Sequence, residues 1–224
     1  MSKKLEELIS YQYSKEEERL YPLLCDYLKK TYGNVEIFKP VYYYEKTKHR
    51  RHIEELSRIT IYLKRTAALH HVYDILKKRH DINCEADQQE IRKIICRLGL
   101  QEYFHADILF ICYDSFEFEA ISHCYNSASK DFKIFKKKYF NSDTMAWIDP
   151  SVMFIVYKTK ELMEEAERNG EQARIREDYY QFIKQFDQFG LITRDKHLLV
   201  HFDYAGHARS PREYYELHYE MMGN

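Results

Sequence analysis

Apolar positions along this chain gather into short runs that stop abruptly at a charged or hydroxyl residue. Residues 107–119 read DILFICYDSFEFE and residues 151–163 read SVMFIVYKTKELM. The two align without a gap, placing Phe110 with Phe154, Ile111 with Ile155, Tyr113 with Tyr157, Ser115 with Thr159 and Glu117 with Glu161. Each run predicts a buried strand, and each ends in a hydroxyl residue able to cap a following helix by accepting from an exposed backbone N–H. Weaker copies flank them. RITIYLKRT at 58–66 precedes the helical pattern AALHHVYDILKK, and HLLVHFD at 197–203 precedes Ser210-Pro211-Arg212-Glu213, a capping box with proline at the first helical position. The four predicted strands begin roughly 45 to 50 residues apart, a spacing that suggests an internal repeat.

Helical periodicity fills the intervals. Over 87–98, Ile91, Ile94, Ile95 and Leu98 follow the i, i+3, i+4, i+7 pattern, with Asp87 and Glu90 as the predicted capping pair and Gly99 as the stop. Over 171–189, Ile175, Tyr179, Phe182, Phe186 and Phe189 alternate steps of four and three, the stripe of a helix packed on a sheet or of a partner seam. Residues 116–139 place Phe116, Ala120, Cys124, Ala128, Phe135 and Tyr139 on one side. Ser14 and Glu17 form a second capping box, and Pro22 predicts a kink or restart just after it. The stretch 33–46 reads as a strand or hairpin interrupted at Pro40, hence at a sheet edge.

Strands alternating with long helical stretches predict an α/β (or α+β) fold, a central mixed or parallel sheet of about four to six strands flanked by helices. No Gly/Ser tract or proline-rich linker interrupts the chain. The expectation is therefore a single domain over 1–224, with N-terminal helices in 1–32 and the sheet with its covering helices in 33–224.

Composition narrows the function classes. Lys plus Arg total 35 against 36 Asp plus Glu, so no global field draws in nucleic acid or an anionic membrane. The six glycines are too scattered for a phosphate cradle of the usual dinucleotide or P-loop kind. Five cysteines, never closer than twelve apart and without a C-x-x-C, read as reduced and mostly buried thiols. The N-terminal MSKKLEELIS lacks an apolar signal region and no run of about 18 apolar residues occurs, so the expected compartment is the cytoplasm, with no membrane partner.

Three groups of residues carry candidate chemistry. If the four strands are parallel, their carboxyl ends would bring Arg65, Asp114, Ser115, Lys158 and Thr159 to one rim, a mixture of cations and hydroxyls suited to an anionic ligand. His201 and Asp203 share one face of a strand by the period of two, Gly206 lets the chain return His207, and His105 with Asp107 repeats the pair. Imidazole with carboxylate suits a divalent transition metal, the one cofactor alternative to none, held by His201, Asp203 and His207, with His105 and Asp107 joining them if the two strands are antiparallel neighbours. Chance alone gives H-x-D about 0.6 times in a chain of this composition. Third, Tyr43 and Tyr44 precede Lys48, Arg50 and Arg51, rings beside cations as single-strand binders use them, although Glu54 and Glu55 follow at once.

No catalytic nucleophile is assigned, since no G-x-S-x-G occurs and no cysteine has a basic context. The 21 tyrosines are the composition expected of a recognition surface. The expectation is a non-enzymatic intracellular binding protein recognising another protein, as in a neutralising or regulatory interaction. The alternatives are a metal-dependent hydrolase or nuclease built on the His/Asp cluster, and single-stranded nucleic-acid binding through the Tyr/Arg/Lys patch.

Overall fold

The computed structural model describes residues 3–33, 35–49, 52–139, 144–149, 152–194 and 199–206. The chain divides into two units, Met1–Glu119 and Ala120–Asn224. Both are mixed α/β.

In the first unit, α1 (Lys3–Ser10) leads into α2 (Lys15–Tyr32), which starts at the expected capping box. Ser14 Oγ accepts from the Glu17 N–H at 3.1 Å while Glu17 Oε2 accepts from the Ser14 N–H at 2.7 Å. The expected break at Pro22 does not occur, and α2 runs through it. An interior proline forfeits about 3 kcal/mol, and the burial of Leu20, Tyr21, Leu24 and Leu28 around it supplies the offsetting term. A hairpin follows, β1 (Ile37–His49) antiparallel to β2 (His52–Leu63). The chain then forms α3 (Thr66–Lys78) and α4 (Glu85–Arg97) before returning as β3 (Leu109–Ser115), parallel to β2. The sheet order is β1-β2-β3. Pro40 lies on an edge strand, where its missing N–H costs no ladder bond. The inward row Ile59, Ile61, Leu63, Leu109, Ile111 and Tyr113 packs with Leu24, Leu28, Val72, Leu76, Ile91 and Ile95 of the helices.

The second unit repeats this order of elements. After α5 (Phe116–Tyr139) come a hairpin, β4 (Thr144–Asp149) antiparallel to β5 (Val152–Tyr157), then α6 (Lys160–Arg168) and α7 (Glu171–Lys184), and finally β6 (Leu199–Tyr204) parallel to β5. Its sheet order is β4-β5-β6. The turn between α6 and α7 is only Asn169-Gly170, with Gly170 at φ 78 and Asn169 Oδ1 accepting from the Glu171 N–H at 2.9 Å. Ile175, Tyr179 and Ile183 of α7 are buried in this unit's core with Met153, Ile155 and Cys124, and Phe182 and Phe186 pack against it, so the α7 stripe faces its own sheet.

Among the described residues the expected single sheet of four to six strands is therefore corrected to two three-stranded sheets. The four sequence-predicted strands are β2, β3, β5 and β6, but β3 and β6 are edge strands. The repeat is paired differently from the gapless alignment. That alignment sets β3 against β5, whereas topology makes β2 the counterpart of β5 and β3 the counterpart of β6. Asp114 and Asp203 then occupy equivalent places, paired with Tyr62 and Val156 in the parallel ladders, and each Oδ1 accepts the next residue's backbone N–H at 2.8 Å.

Candidate functional site: the open edge of the first sheet

β3 alternates burial strictly, with Leu109, Ile111, Tyr113 and Ser115 buried while Phe110 is 48% exposed. One face of the strand packs on the helices and the other looks outward. Beside it a groove of about 580 Å³ is lined by β3 residues 110–113, by Leu56 and Arg58 of β2, by Tyr73 of α3, and by the α3–α4 turn and first turn of α4, including Ile82, Cys84 and Glu85. Leu56, Tyr73 and Ile82 are exposed like Phe110, with Ile82 the most open at 68%. These four side chains give the groove an apolar lining.

Arg58 is the cation of the groove. Its guanidinium lies 5.0 Å from the centre of the Tyr43 ring, on the outward row Tyr43, Arg58, Phe110 that the two ladders set side by side. Its Nε is buried and has no hydrogen-bond partner among the described residues. Two thiols share the groove. Burial pushes Cys84 up to about 12, with Asp87 and Asp81 adding to it. Burial also pushes Cys112 up, against the opposing pull of Arg58. Both are protonated and weakly nucleophilic at neutral pH.

The backbone at this edge is partly occupied. Arg92 Nη2 donates to the Leu109 carbonyl at 2.8 Å and Tyr73 Oη donates to the Tyr113 carbonyl at 3.4 Å. Backbone groups alternate sides along a strand, so the N–H and C=O of Ile111, midway between these carbonyls, face the same edge.

The sequence-predicted groups are distributed otherwise. Arg65, Asp114 and Ser115 do meet at the end of β3, but the protein engages them itself. Arg65 pairs with Glu117 at 3.1 Å, Lys4 with Asp114 at 3.0 Å and with Glu119, and Ser115 Oγ lies 3.0 Å from Thr66 Oγ1. Burial alone would raise the Glu117 carboxyl, yet the Thr66 N–H and Arg65 outweigh it and hold it below the usual carboxylate range. Ser115 Oγ accepts from the Phe118 N–H at 3.2 Å, the capping role expected of it. Lys158 and Thr159 follow β5 in the second unit, so the five residues do not share one sheet rim, and Thr159 caps α6 by accepting from the Leu162 N–H at 3.3 Å.

The proposed four-ligand metal set is likewise divided. His105 and Asp107 precede β3, whereas His201 and Asp203 lie on β6 of the other sheet, so the two strands are not neighbours. The His105 ring stacks on Tyr44 at 3.9 Å, and the His201 ring lies 5.3 Å from that of Phe154. Among the described residues no three His, Cys, Asp or Glu side chains gather as metal ligands, and His207 lies outside the described residues. Of the nucleic-acid patch, Tyr43 holds Arg58 and Tyr44 holds His105, while the side chain of Lys48, together with Arg50 and Arg51, lies outside the described residues. Lys46, within that stretch, lies on β1 and pairs with Glu55 of β2.

Arg58, Tyr73, Ile82 and Phe110 escaped the sequence reading. Phe110 looks like any other apolar strand residue, and only its place on an edge strand turns it outward. No protein-family model, curated protein or solved structure matches this chain.

Proposed function

We propose that the protein works by binding another protein, and that the groove along β3 receives an extended segment of that partner. The observation that carries this reading is the exposure of Leu56, Tyr73, Ile82 and Phe110 around an edge strand. Charge favours a peptide over single-stranded nucleic acid. Among the described residues Arg58 is the one cation lining the groove, and the same lining carries the carboxylate of Glu85. A phosphate backbone would find few cations to displace its counterions. The protonated thiols leave the groove's cysteines without a nucleophile's character, which fits recognition rather than group transfer.

The test is selection of peptides from a random display library on the full chain, followed by titration of synthetic copies against Phe110→Asp and Ile82→Asp variants checked for fold by circular dichroism. Selected peptides should bind at micromolar levels and lose at least about tenfold on either substitution, which is the scale of removing one apolar anchor. Peptides that bind the folded variants as well as the wild type would exclude this groove. A poly-U or poly-dT oligonucleotide whose binding is lost on Phe110→Asp, with no peptide enriched, would replace the protein partner with nucleic acid.

A further inference from the structure

Resting on that reading, we infer that the segment docks by main-chain pairing to Ile111 and is selected for an acidic side chain that faces Arg58. The backbone defines the first half. The Arg92 and Tyr73 contacts occupy the carbonyls of Leu109 and Tyr113, which closes the edge to a long added strand. Between them the N–H and C=O of Ile111, itself 3% exposed, have no partner at this edge among the described residues, one donor and one acceptor on the same side that a single residue of an extended chain entering the groove satisfies reciprocally. The slot is therefore short, and specificity must come from the side chains of the paired residue and of its two neighbours.

Side chains along the segment alternate between two environments, the two residues flanking the paired one facing outward and the paired residue itself facing the helices with Ile111. On the outward face they meet Phe110 and Arg58. Toward the helices they meet Tyr73 and Ile82. Arg58 is prepared for an anion on this outward face. It is held over the Tyr43 ring, its Nε is buried without an acceptor, and it makes no ion pair with any described residue. A carboxylate reaching it gains a charge-assisted hydrogen bond in a partly desolvated place, where such bonds are strongest. Glu85, at the turn end of the groove, repels an acid placed there and so fixes which end of the segment carries it. The recognised segment is thus an extended peptide with an apolar residue for Ile82 and Tyr73 and an Asp or Glu for Arg58.

The experiment uses the peptides selected above. Replacing their acidic residue by its amide, or Arg58 by Gln, should each weaken binding by about tenfold, and combining the two should add little, as expected of a coupled pair. An Arg58→Glu chain should prefer the peptide with Lys at that position. N-methylation of the one peptide residue facing Ile111 should abolish binding, methylation of its neighbours should not, and the Ile111 amide should gain protection from hydrogen exchange in the complex. Binding lost on Phe110→Asp yet indifferent to the acid and to Arg58→Gln would overturn the charge selection while leaving the groove in place. Binding insensitive to N-methylation would overturn the pairing to Ile111. Loss of dependence on Phe110 would remove both inferences together.

Discussion

At the scale of single residues, the abundance of tyrosine has a structural use that composition does not reveal. Asp87 is 1% exposed, and its carboxylate accepts from the hydroxyls of Tyr27 at 2.6 Å, Tyr113 at 2.5 Å, and Tyr32. Glu17, 2% exposed, accepts from Tyr21 at 2.8 Å and from Tyr11. A buried carboxylate is tolerable only when its lone pairs are filled, and here phenolic hydroxyls fill them where another fold would place Arg or Lys. The tyrosines expected on a recognition surface are in part the donors of two internal acid sites, with Tyr73 as an exception that serves the groove. Asp87→Ala removes the common acceptor of three hydroxyls, two of them on the buried Tyr32 and Tyr113, and should lower unfolding free energy by about 3–5 kcal/mol. Tyr27→Phe, which removes one donor from the partly exposed rim, should lower it by about 1 kcal/mol. Urea denaturation of both variants checks this, and an Asp87→Ala protein within about 1 kcal/mol of wild type would show that the cluster contributes little.

At the scale of elements, α4 shows what periodicity can and cannot read. Its buried Ile91, Ile94 and Ile95 follow from spacing alone, and Gly99 stands at φ 68 as a C-terminal stop should. Its start does not. Asp87 and Glu90 look like a capping pair, but the helix begins at Glu85, Cys84 before it is in the left-handed region, and Asp81 does the capping, accepting from the N–H groups of Glu85 at 2.6 Å and Ala86 at 3.0 Å. Asp87 is instead drawn inward to the tyrosines. Asp81→Ala should therefore cost about 1 kcal/mol, the usual effect of losing a cap, whereas Glu90→Gln should stay within about 0.5 kcal/mol. Thermal melts of the two variants decide between them, and the reverse order would restore Asp87 and Glu90 to the helix start. Elements were legible here because the hydrophobic period is local. Strand partners were not, because pairing is fixed by contacts far apart in sequence, and Phe110 and Phe154 read alike although one is turned to solvent and the other is buried. The boundary between the units falls inside α5, at Glu119 and Ala120, where a continuous helix shows no change of composition. The edge groove shared this fate, since nothing in LFICYDS says that one side of the strand lacks a neighbour.

At the scale of the whole molecule, the α-β-β-α-α-β order occurring twice accounts for the similar strand runs at β2, β3, β5 and β6, the capping box at 210–213 lying outside the described residues, and both units bury groups whose neutral form the fold prefers. Cys84 in the first unit and Cys124 in the second are each raised by burial to about 12, from an ordinary 9.0. Tyr157 is raised by burial to about 12 from 10.0, and burial with the nearby Asp87 carboxylate lifts Tyr32 and Tyr113 further still. The unfolded chain gives up these protons near their ordinary values, while the native chain keeps them to higher pH. Between the two the native state binds more protons, so the stability these groups contribute is complete below about pH 9 and is lost as pH rises above it. Acidic residues do not reverse this trend there, because they are already ionised in both states. The melting temperature should be level from neutrality to about pH 9 and then fall steeply. Tyrosinate absorbance should rise in two stages, the second, from Tyr32, Tyr113 and Tyr157, coincident with the loss of far-ultraviolet circular dichroism. A single smooth titration of all the tyrosines with the fold intact would mean that Tyr32, Tyr113 and Tyr157 are reached by solvent, and with them the acid cluster that organises the first core.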